Sequence, residues 1–164
     1  MAGSGSNPNP DEDLPSASPS LDPGTAAGNS HILIVEDNPA DVFLIREAIA
    51  ATGLRIPVHV VKDGEAATRF FDDVDHDESA PCPALVILDI NLPKKQGVEV
   101  LQHLRRSRRC RKARVIVVST SNAEKDREAV MMSGADAYFS KPSKYEDFLK
   151  LGNLILKWFP KGTK

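Results

Sequence analysis

From Ile32 to the end of the chain, short apolar runs rich in β-branched residues alternate with longer segments of helical periodicity. A short apolar run bounded by turn residues is typical of a strand buried on both faces. The predicted strands are residues 32–35, 58–62, 85–89, 115–119 and 137–139. Because helical segments separate these runs, the pattern predicts an α/β domain with a parallel sheet.

Five helices are predicted between and after these strands. The first has Asn38 as its N-cap and Pro39 as its first helical residue, and places Val42, Ile45 and Ile49 on one face. The next three are predicted at about residues 65–73, 98–106 and 124–133. Right-handed crossovers between parallel strands then give an open sheet with helices on both faces.

The last helix is predicted to begin with a capping box formed by Ser143 and Glu146. Its apolar residues are expected to face the core; they are Phe148, Leu149, Leu151, Ile155 and Phe159.

Polar residues stand where four of the predicted strands end. They are Glu36 and Asp37 after the first strand, Asp89 at the end of the third, Ser119 and Thr120 at the fourth, and Lys141 after the fifth. In sheets of this kind the ligand site lies beyond the carboxyl ends of the strands, so these side chains are expected to share one edge. Three carboxylates in one crevice repel each other unless a hard divalent cation lies among them, and Mg²⁺ is the natural candidate.

The same residues resemble the receiver domain of two-component response regulators. The matching features are Glu36-Asp37, the aspartate of "LDINLP" followed by Gly97, Ser119 in "VVSTS", and Lys141-Pro142 in "FSKP". The spacings also fit, with 30 residues from Asp89 to Ser119 and 22 from Ser119 to Lys141. The segment "VEDNPADVFLIREA" and the "STS" triplet look like single-domain regulators paired with phytochrome-type kinases. The resemblance implies a flavodoxin-like, doubly wound (βα)5 fold with strand order 2-1-3-4-5.

The resemblance also implies a role for each site residue. Asp89 would accept a phosphoryl group from a sensor histidine kinase or phosphotransfer protein, while Lys141 and the Ser119 hydroxyl contact its oxygens. Glu36, Asp37, Asp89 and the backbone carbonyl of Asn91 would bind Mg²⁺.

Further residues are implied in hydrolysis and in switching. Thr120 would contact the phosphate through its amide, and Ser121 and the Asn91 side chain would flank the water that hydrolyses it. Ser119 and Tyr138 would form the switch, with the fourth helix, fifth strand and fifth helix as the effector and homodimer face.

Two other functions stay open at this point. An aspartate-nucleophile phosphatase usually has a second acid two residues after the nucleophile, and that position here is Asn91. A receiver-like scaffold that binds its partner without phosphorylation commonly lacks one acid or the lysine, and both are present here. The expected protein is therefore a signalling protein rather than an enzyme, with only self-phosphorylation from a phosphodonor and autodephosphorylation.

Composition adds limits to this assignment. The formal net charge of the 164 residues is -2, which favours neither nucleic acid nor a membrane as a partner. No signal peptide or long apolar run is evident, so a cytoplasmic location is expected. Cys82 and Cys110 show no metal-ligand spacing and are predicted to be free thiols.

The chain is predicted to have three parts. Residues 1–30 are rich in Pro, Gly and Ser and are predicted to be disordered. Residues 31–160 are predicted to form the receiver domain, and residues 161–164 a short tail.

Two charged segments have no function assigned by the sequence. Residues 72–84 are predicted to be a helix end followed by an acidic surface loop. A basic run at residues 105–114 is interpreted as a solvated helix end that complements the helix dipole, in preference to a docking surface.

Overall fold

The computed structural model describes residues 30–159. The predicted tails, residues 1–30 and 161–164, lie outside these residues except for Ser30. Five strands alternate with six helices along the described part of the chain. The strands are β1 (Ile32–Val35), β2 (Val58–Val61), β3 (Leu85–Asp89), β4 (Arg114–Ser119) and β5 (Ala137–Ser140). The helices are α1 (Pro39–Ala51), α2 (Gly64–Asp75), α3 (Gly97–Arg105), α4 (Glu124–Met132), α5 (Tyr145–Phe148) and α6 (Leu151–Trp158).

The five strands form one parallel sheet in the order β2-β1-β3-β4-β5, which confirms the predicted fold. Every residue of β1 and β3 is buried, because helices cover both faces of the sheet. Alternate residues of each strand therefore enter two separate apolar layers. One layer contains Leu33, Val35, Val86 and Leu88 with α2 and α3, and the other contains Ile32, Ile34, Leu85 and Ile87 with α1, α5 and α6.

The first helix begins as predicted. The Asn38 side chain accepts a hydrogen bond from the amide of Ala40 at 2.9 Å, and Pro39 is the first helical residue. Ile45 and Ile49 are buried on its inner face, whereas Val42 is only partly buried.

The fifth predicted helix is two helices, because α5 ends at Phe148 and α6 begins at Leu151. The predicted capping box is wrong: the N-cap of α5 is Lys144, and no side chain caps that end. The apolar face is confirmed for Phe148, Leu151, Ile155 and Phe159, while Leu149 is partly buried.

The predicted free thiols are wrong, since Cys82 and Cys110 form a disulfide with a Cα–Cα distance of 5.4 Å. This bond joins the loop before β3 to the loop between α3 and β4. The two cysteines are 28 residues apart in the sequence, and only the packing of α2 beside α3 brings their loops together.

The acidic and basic segments pair with each other. Asp75, at the end of α2, accepts hydrogen bonds from the Ser107 hydroxyl and from the amides of Arg108 and Arg109. In return, Arg109 donates to the carbonyls of Val74 and Asp77. We call this contact the α2 clamp.

Arg105 also lies against other elements, donating to the carbonyls of Ala113 and Gly134 and to the Asp136 carboxylate. The interpretation of the basic run as a solvated helix end is therefore wrong for Arg105 and Arg109, which are partly buried and donate to the carbonyls of neighbouring loops.

Among residues 30–159, no helix is both long enough and apolar enough to cross a lipid bilayer.

Candidate functional site

Three carboxylates meet at the carboxyl edge of the sheet. Glu36 follows β1, Asp37 comes next, and Asp89 is the last residue of β3. One oxygen from each lies within 4.8 Å of the others. Glu36 and Asp89 are buried and Asp37 is exposed, so the cluster opens to solvent on one side. Clustered carboxylate oxygens are the donors that a hard divalent cation such as Mg²⁺ prefers, and this group therefore fits one.

Backbone contacts hold the carboxylates in place. The Glu36 amide donates to the Val61 carbonyl at 3.1 Å, which continues the pairing of β1 with β2. Glu36 Oε2 accepts a hydrogen bond from the amide of Asn38 at 3.2 Å. Asp89 Oδ1 accepts one from the amide of Asn91 at 3.1 Å, so the turn after β3 orients the carboxylate.

Lys141 brings a positive charge to this cluster from the end of β5. Its amide donates to the Ser119 carbonyl at 2.7 Å, which ties the ends of β4 and β5 together. Its Nζ lies 2.9 Å from Glu36 Oε1, 2.8 Å from Asp41 Oδ2 and 3.7 Å from Asp89 Oδ1. The predicted residues Glu36, Asp37, Asp89 and Lys141 are thus brought together in one site.

Burial acts in opposite directions on the pKa values of Glu36 and Lys141, the two charged groups at the centre of the site. Burial raises the pKa of Glu36 to about 7, and the charge of Asp89 adds to this effect, although Lys141 opposes it. Burial also works to lower the pKa of Lys141, but its hydrogen bonds to Asp41 and Glu36 and the charge of Asp89 outweigh this and raise the pKa above its usual value. The ammonium therefore remains charged and offsets part of the carboxylate repulsion.

Ser119 and Ser121 sit at the end of β4 and organise the loop that follows it. The Ser119 hydroxyl is fully buried and accepts a hydrogen bond from the Ser121 amide at 3.0 Å. The Ser121 hydroxyl donates to Asp126 at 2.7 Å and so is engaged with the first turn of α4. Thr120 lies between them and is exposed.

Tyr138 on β5 contacts this same loop. Its hydroxyl donates to the Ser121 carbonyl at 2.9 Å, and the guanidinium carbon of Arg127 lies 5.9 Å from the centre of its ring. The ring also packs against the apolar layer that contains α2 and α3. Tyr138 therefore links the strand beside Lys141 to the loop beside Ser119.

Gly97 allows the loop after β3 to fold back onto the strand end. Its amide donates to the Ile90 carbonyl at 3.0 Å. A Cβ atom at this position would lie 2.6 Å from both the Asp89 carbonyl oxygen and the Ile90 Cα, closer than atoms pack. A glycine is required here because of this close approach.

Asp41 is a site residue that the sequence reasoning missed. Pro39 is the first residue of α1, so Asp41 lies in the first helical turn and its side chain reaches Lys141. An acid four residues after Asp37, at the start of a helix that leaves the same sheet edge, was the available signal.

Comparisons with known proteins agree with this geometry. The family model "Response regulator receiver domain" matches residues 32–152. The chain is 33% identical over 120 residues to the response regulator Rcp1 of Synechocystis sp., covering 73% of this chain and 82% of Rcp1. The crystal structure of the Mn²⁺-bound form of Rcp1 superposes with a TM-score of 0.69 at 32% identity, covering 79% of this chain and 94% of that one.

Two further solved structures are similar. The phosphorylated cyanobacterial phytochrome response regulator RcpA gives a TM-score of 0.72 at 31% identity, covering 81% of this chain and 96% of that one. The receiver domain of the sensor histidine kinase PA1611 from Pseudomonas aeruginosa, with a magnesium ion in its active site cleft, gives 0.63 at 25% identity, covering 79% and 97%. With its fold, its acidic cluster and the match over residues 32–152, this chain belongs to the receiver domain family of response regulators.

Proposed function

We propose that Asp89 is the phosphoacceptor of this receiver, and that it takes its phosphoryl group from a phosphohistidine of a sensor histidine kinase or phosphotransfer protein. The observation that supports this most is the position of the Asp89 carboxylate. It is buried at the end of β3, shares a cluster with Glu36 and Asp37, and lies 3.7 Å from the Lys141 ammonium. Phosphoryl transfer requires of a protein a positioned nucleophile and positive charge near the phosphoryl oxygens, and Asp89 and Lys141 would supply these.

In the proposed reaction a carboxylate oxygen of Asp89 attacks the phosphorus of the phosphohistidine. The new O–P bond forms as the P–N bond to the imidazole breaks, and the products are an aspartyl phosphate and the free histidine. The Asn91 amide holds Asp89 Oδ1, so the carboxylate is oriented before the donor arrives.

Mg²⁺ is the cofactor we propose for this site, held by Glu36, Asp37, Asp89 and the Asn91 carbonyl. When bound, it would neutralise charge on the phosphoryl oxygens. The solved structures of Rcp1 and of the PA1611 receiver domain contain Mn²⁺ and Mg²⁺ respectively, which supports a divalent cation here.

The remaining site residues would stabilise and then release the phosphoryl group. Lys141 would give a charged hydrogen bond to one oxygen, and the Ser119 hydroxyl and Thr120 amide would donate to others. Hydrolysis needs a water molecule in line with the O–P bond, and the side chains of Asn91 and Ser121 would flank its approach. Their size and polarity would set the lifetime of the aspartyl phosphate.

The signal would pass from Ser119 to Tyr138. The Ser119 hydroxyl now accepts the Ser121 amide, and a phosphoryl group on Asp89 would draw this hydroxyl toward itself. Because Tyr138 holds the carbonyl of Ser121, a shift of this loop would change the surface of α4, β5 and the predicted fifth helix, which is α5 with α6. We propose this surface as the effector and homodimer face.

A phytochrome-type sensor kinase is the partner we propose, since the similar protein RcpA is a phytochrome response regulator. We place the reaction in the cytoplasm, where such a kinase has its ATP.

Acetyl phosphate with Mg²⁺, followed by intact mass spectrometry, tests the proposal. We expect one phosphoryl group on the wild type and none on Asp89→Asn. A receiver-like scaffold would show no mass gain at any Mg²⁺ concentration, and that result would overturn the proposal. Release of phosphate from unrelated monoesters would instead indicate a phosphatase.

A further inference from the structure

Asp41, in the first turn of α1, forms a close ion pair with the site lysine. The Lys141 ammonium lies 2.8 Å from Asp41 Oδ2 but 3.7 Å from Asp89 Oδ1. The Lys141 side chain is only 8% exposed and that of Asp41 is 22% exposed, so this ion pair is largely shielded from water. A shielded pair is stronger than the same pair at the surface.

Asp41 differs from the other acids near Lys141 in its contacts. Glu36 and Asp89 belong to the cluster of carboxylates that fits a cation, and Asp41 does not. Within residues 30–159, the Asp41 side chain makes its hydrogen bond and ion pair with Lys141 alone. Its charge therefore acts on the lysine rather than on the proposed metal.

The lysine has a limited number of donors. An ammonium offers three hydrogen bonds, and two of those of Lys141 go to Glu36 and Asp41. A phosphoryl group on Asp89 brings additional oxygens close to this ammonium, and they compete with the carboxylates for it.

We infer that Asp41 is a positioning residue that holds Lys141 in the unphosphorylated domain and competes with the phosphoryl group for it. Asp41 thereby lowers the stability of the phosphorylated state. Neutralising Asp41 frees the ammonium for the phosphoryl oxygens, so it shifts the domain toward that state. This inference rests on the proposed function of Asp89 and Lys141.

Beryllofluoride binding at saturating Mg²⁺ measures this competition, since the complex stands in for a phosphoryl group on a carboxylate. Isothermal titration calorimetry would give its Kd for the wild type and for Asp41→Asn, which keeps the size of the side chain and removes its charge. We expect Asp41→Asn to bind about 5-fold more tightly, the effect of an ion pair worth about 1 kcal/mol. Glu47→Gln, a loss of charge on the same helix outside the site, is the matched control and should bind as the wild type does.

Repeating the Asp41 substitution in a Lys141→Met variant separates positioning of the lysine from a structural role of Asp41. In Lys141→Met the lysine can no longer be held, so adding Asp41→Asn should leave the Kd unchanged. An equal gain in both backgrounds, no gain in either, or weaker binding by Asp41→Asn would overturn the inference. Asp41→Ala provides a second variant if Asp41→Asn does not fold, and the same outcomes apply to it.

Binding by the wild-type protein distinguishes a failure of this inference from a failure of the proposed function. If wild-type protein fails to bind beryllofluoride with Mg²⁺, both are wrong. If the wild type binds and Asp41→Asn matches it, only the role of Asp41 is wrong.

Discussion

Replacing Asp75 by alanine removes the carboxylate at the centre of the α2 clamp. Its oxygens accept hydrogen bonds from the Ser107 hydroxyl at 2.8 Å and from the amides of Arg108 and Arg109 at 3.1 and 2.9 Å. A hydrogen bond to a charged group contributes about 1.5–3 kcal/mol, but Asp75 is only partly buried, so water replaces part of the loss. We expect the free energy of unfolding to fall by about 2–4 kcal/mol.

Urea denaturation followed by circular dichroism at pH 7, without reductant, measures this change. Asp73→Ala is the matched control, because Asp73 is exposed on the same helix and its side chain makes no hydrogen bond or ion pair within residues 30–159. The control should change the free energy by no more than about 0.5 kcal/mol. Equal effects of the two variants would refute the clamp as a stabilising contact.

The pH dependence gives a second check on Asp75. Its partial burial works to raise its pKa, but the hydrogen bonds from Arg109, Ser107 and Arg108 outweigh this and lower the pKa below its usual value. A pKa that is lower in the folded than in the unfolded state stabilises the fold above the usual pKa, and this stability is lost as the pH falls through the folded value. The stability difference between wild type and Asp75→Asn should therefore be constant near neutral pH and shrink below about pH 4. A difference that does not change on acidification would contradict this.

Three further predictions follow from single contacts. Gly97→Ala places a Cβ 2.6 Å from the Asp89 carbonyl oxygen and should slow phosphorylation by acetyl phosphate in a mass-spectrometric time course; a wild-type rate would contradict the close approach. Reduction of the Cys82–Cys110 disulfide, whose cysteines are 28 residues apart, should lower the free energy of unfolding by about 3–4 kcal/mol, and two titratable thiols in the folded, unreduced protein would disprove the bond. Tyr138→Phe removes the hydrogen bond to the Ser121 carbonyl and should cost about 0.5–1.5 kcal/mol in urea denaturation, whereas unchanged stability would show that this bond contributes nothing net.

The sheet and four of the helices could be predicted because their signals are local. The strands are buried on both faces, so β1 and β3 are continuous apolar runs, and Asn38-Pro39 specifies the start of α1 within two residues. The break between α5 and α6 could not be predicted, since apolar residues continue at helical spacing from Phe148 to Ile155 across it. Its position depends on packing against α1, which local sequence does not describe.

The sequence predicted those site residues that lie at the carboxyl ends of strands. Glu36, Asp37, Asp89 and Lys141 converge because parallel strands bring their carboxyl ends to one edge.

The sequence did not predict contacts made by side chains that lie away from the strand ends. Asp41 lies on a helix, the Cys82–Cys110 bond joins two loops, and the α2 clamp pairs segments about 30 residues apart. Each depends on how distant segments of the chain pack against each other, and no spacing rule in one sequence gives that distance.

The position of the phosphoryl group along the chain tests whether Asp89 is the phosphoacceptor. Protein treated with acetyl phosphate and Mg²⁺ is reduced with borohydride, which converts an aspartyl phosphate to homoserine, and is then mapped by tandem mass spectrometry. We expect conversion at Asp89 and at no other acid. Conversion at Asp37 or Asp41, or none despite full exposure to the donor, would contradict it.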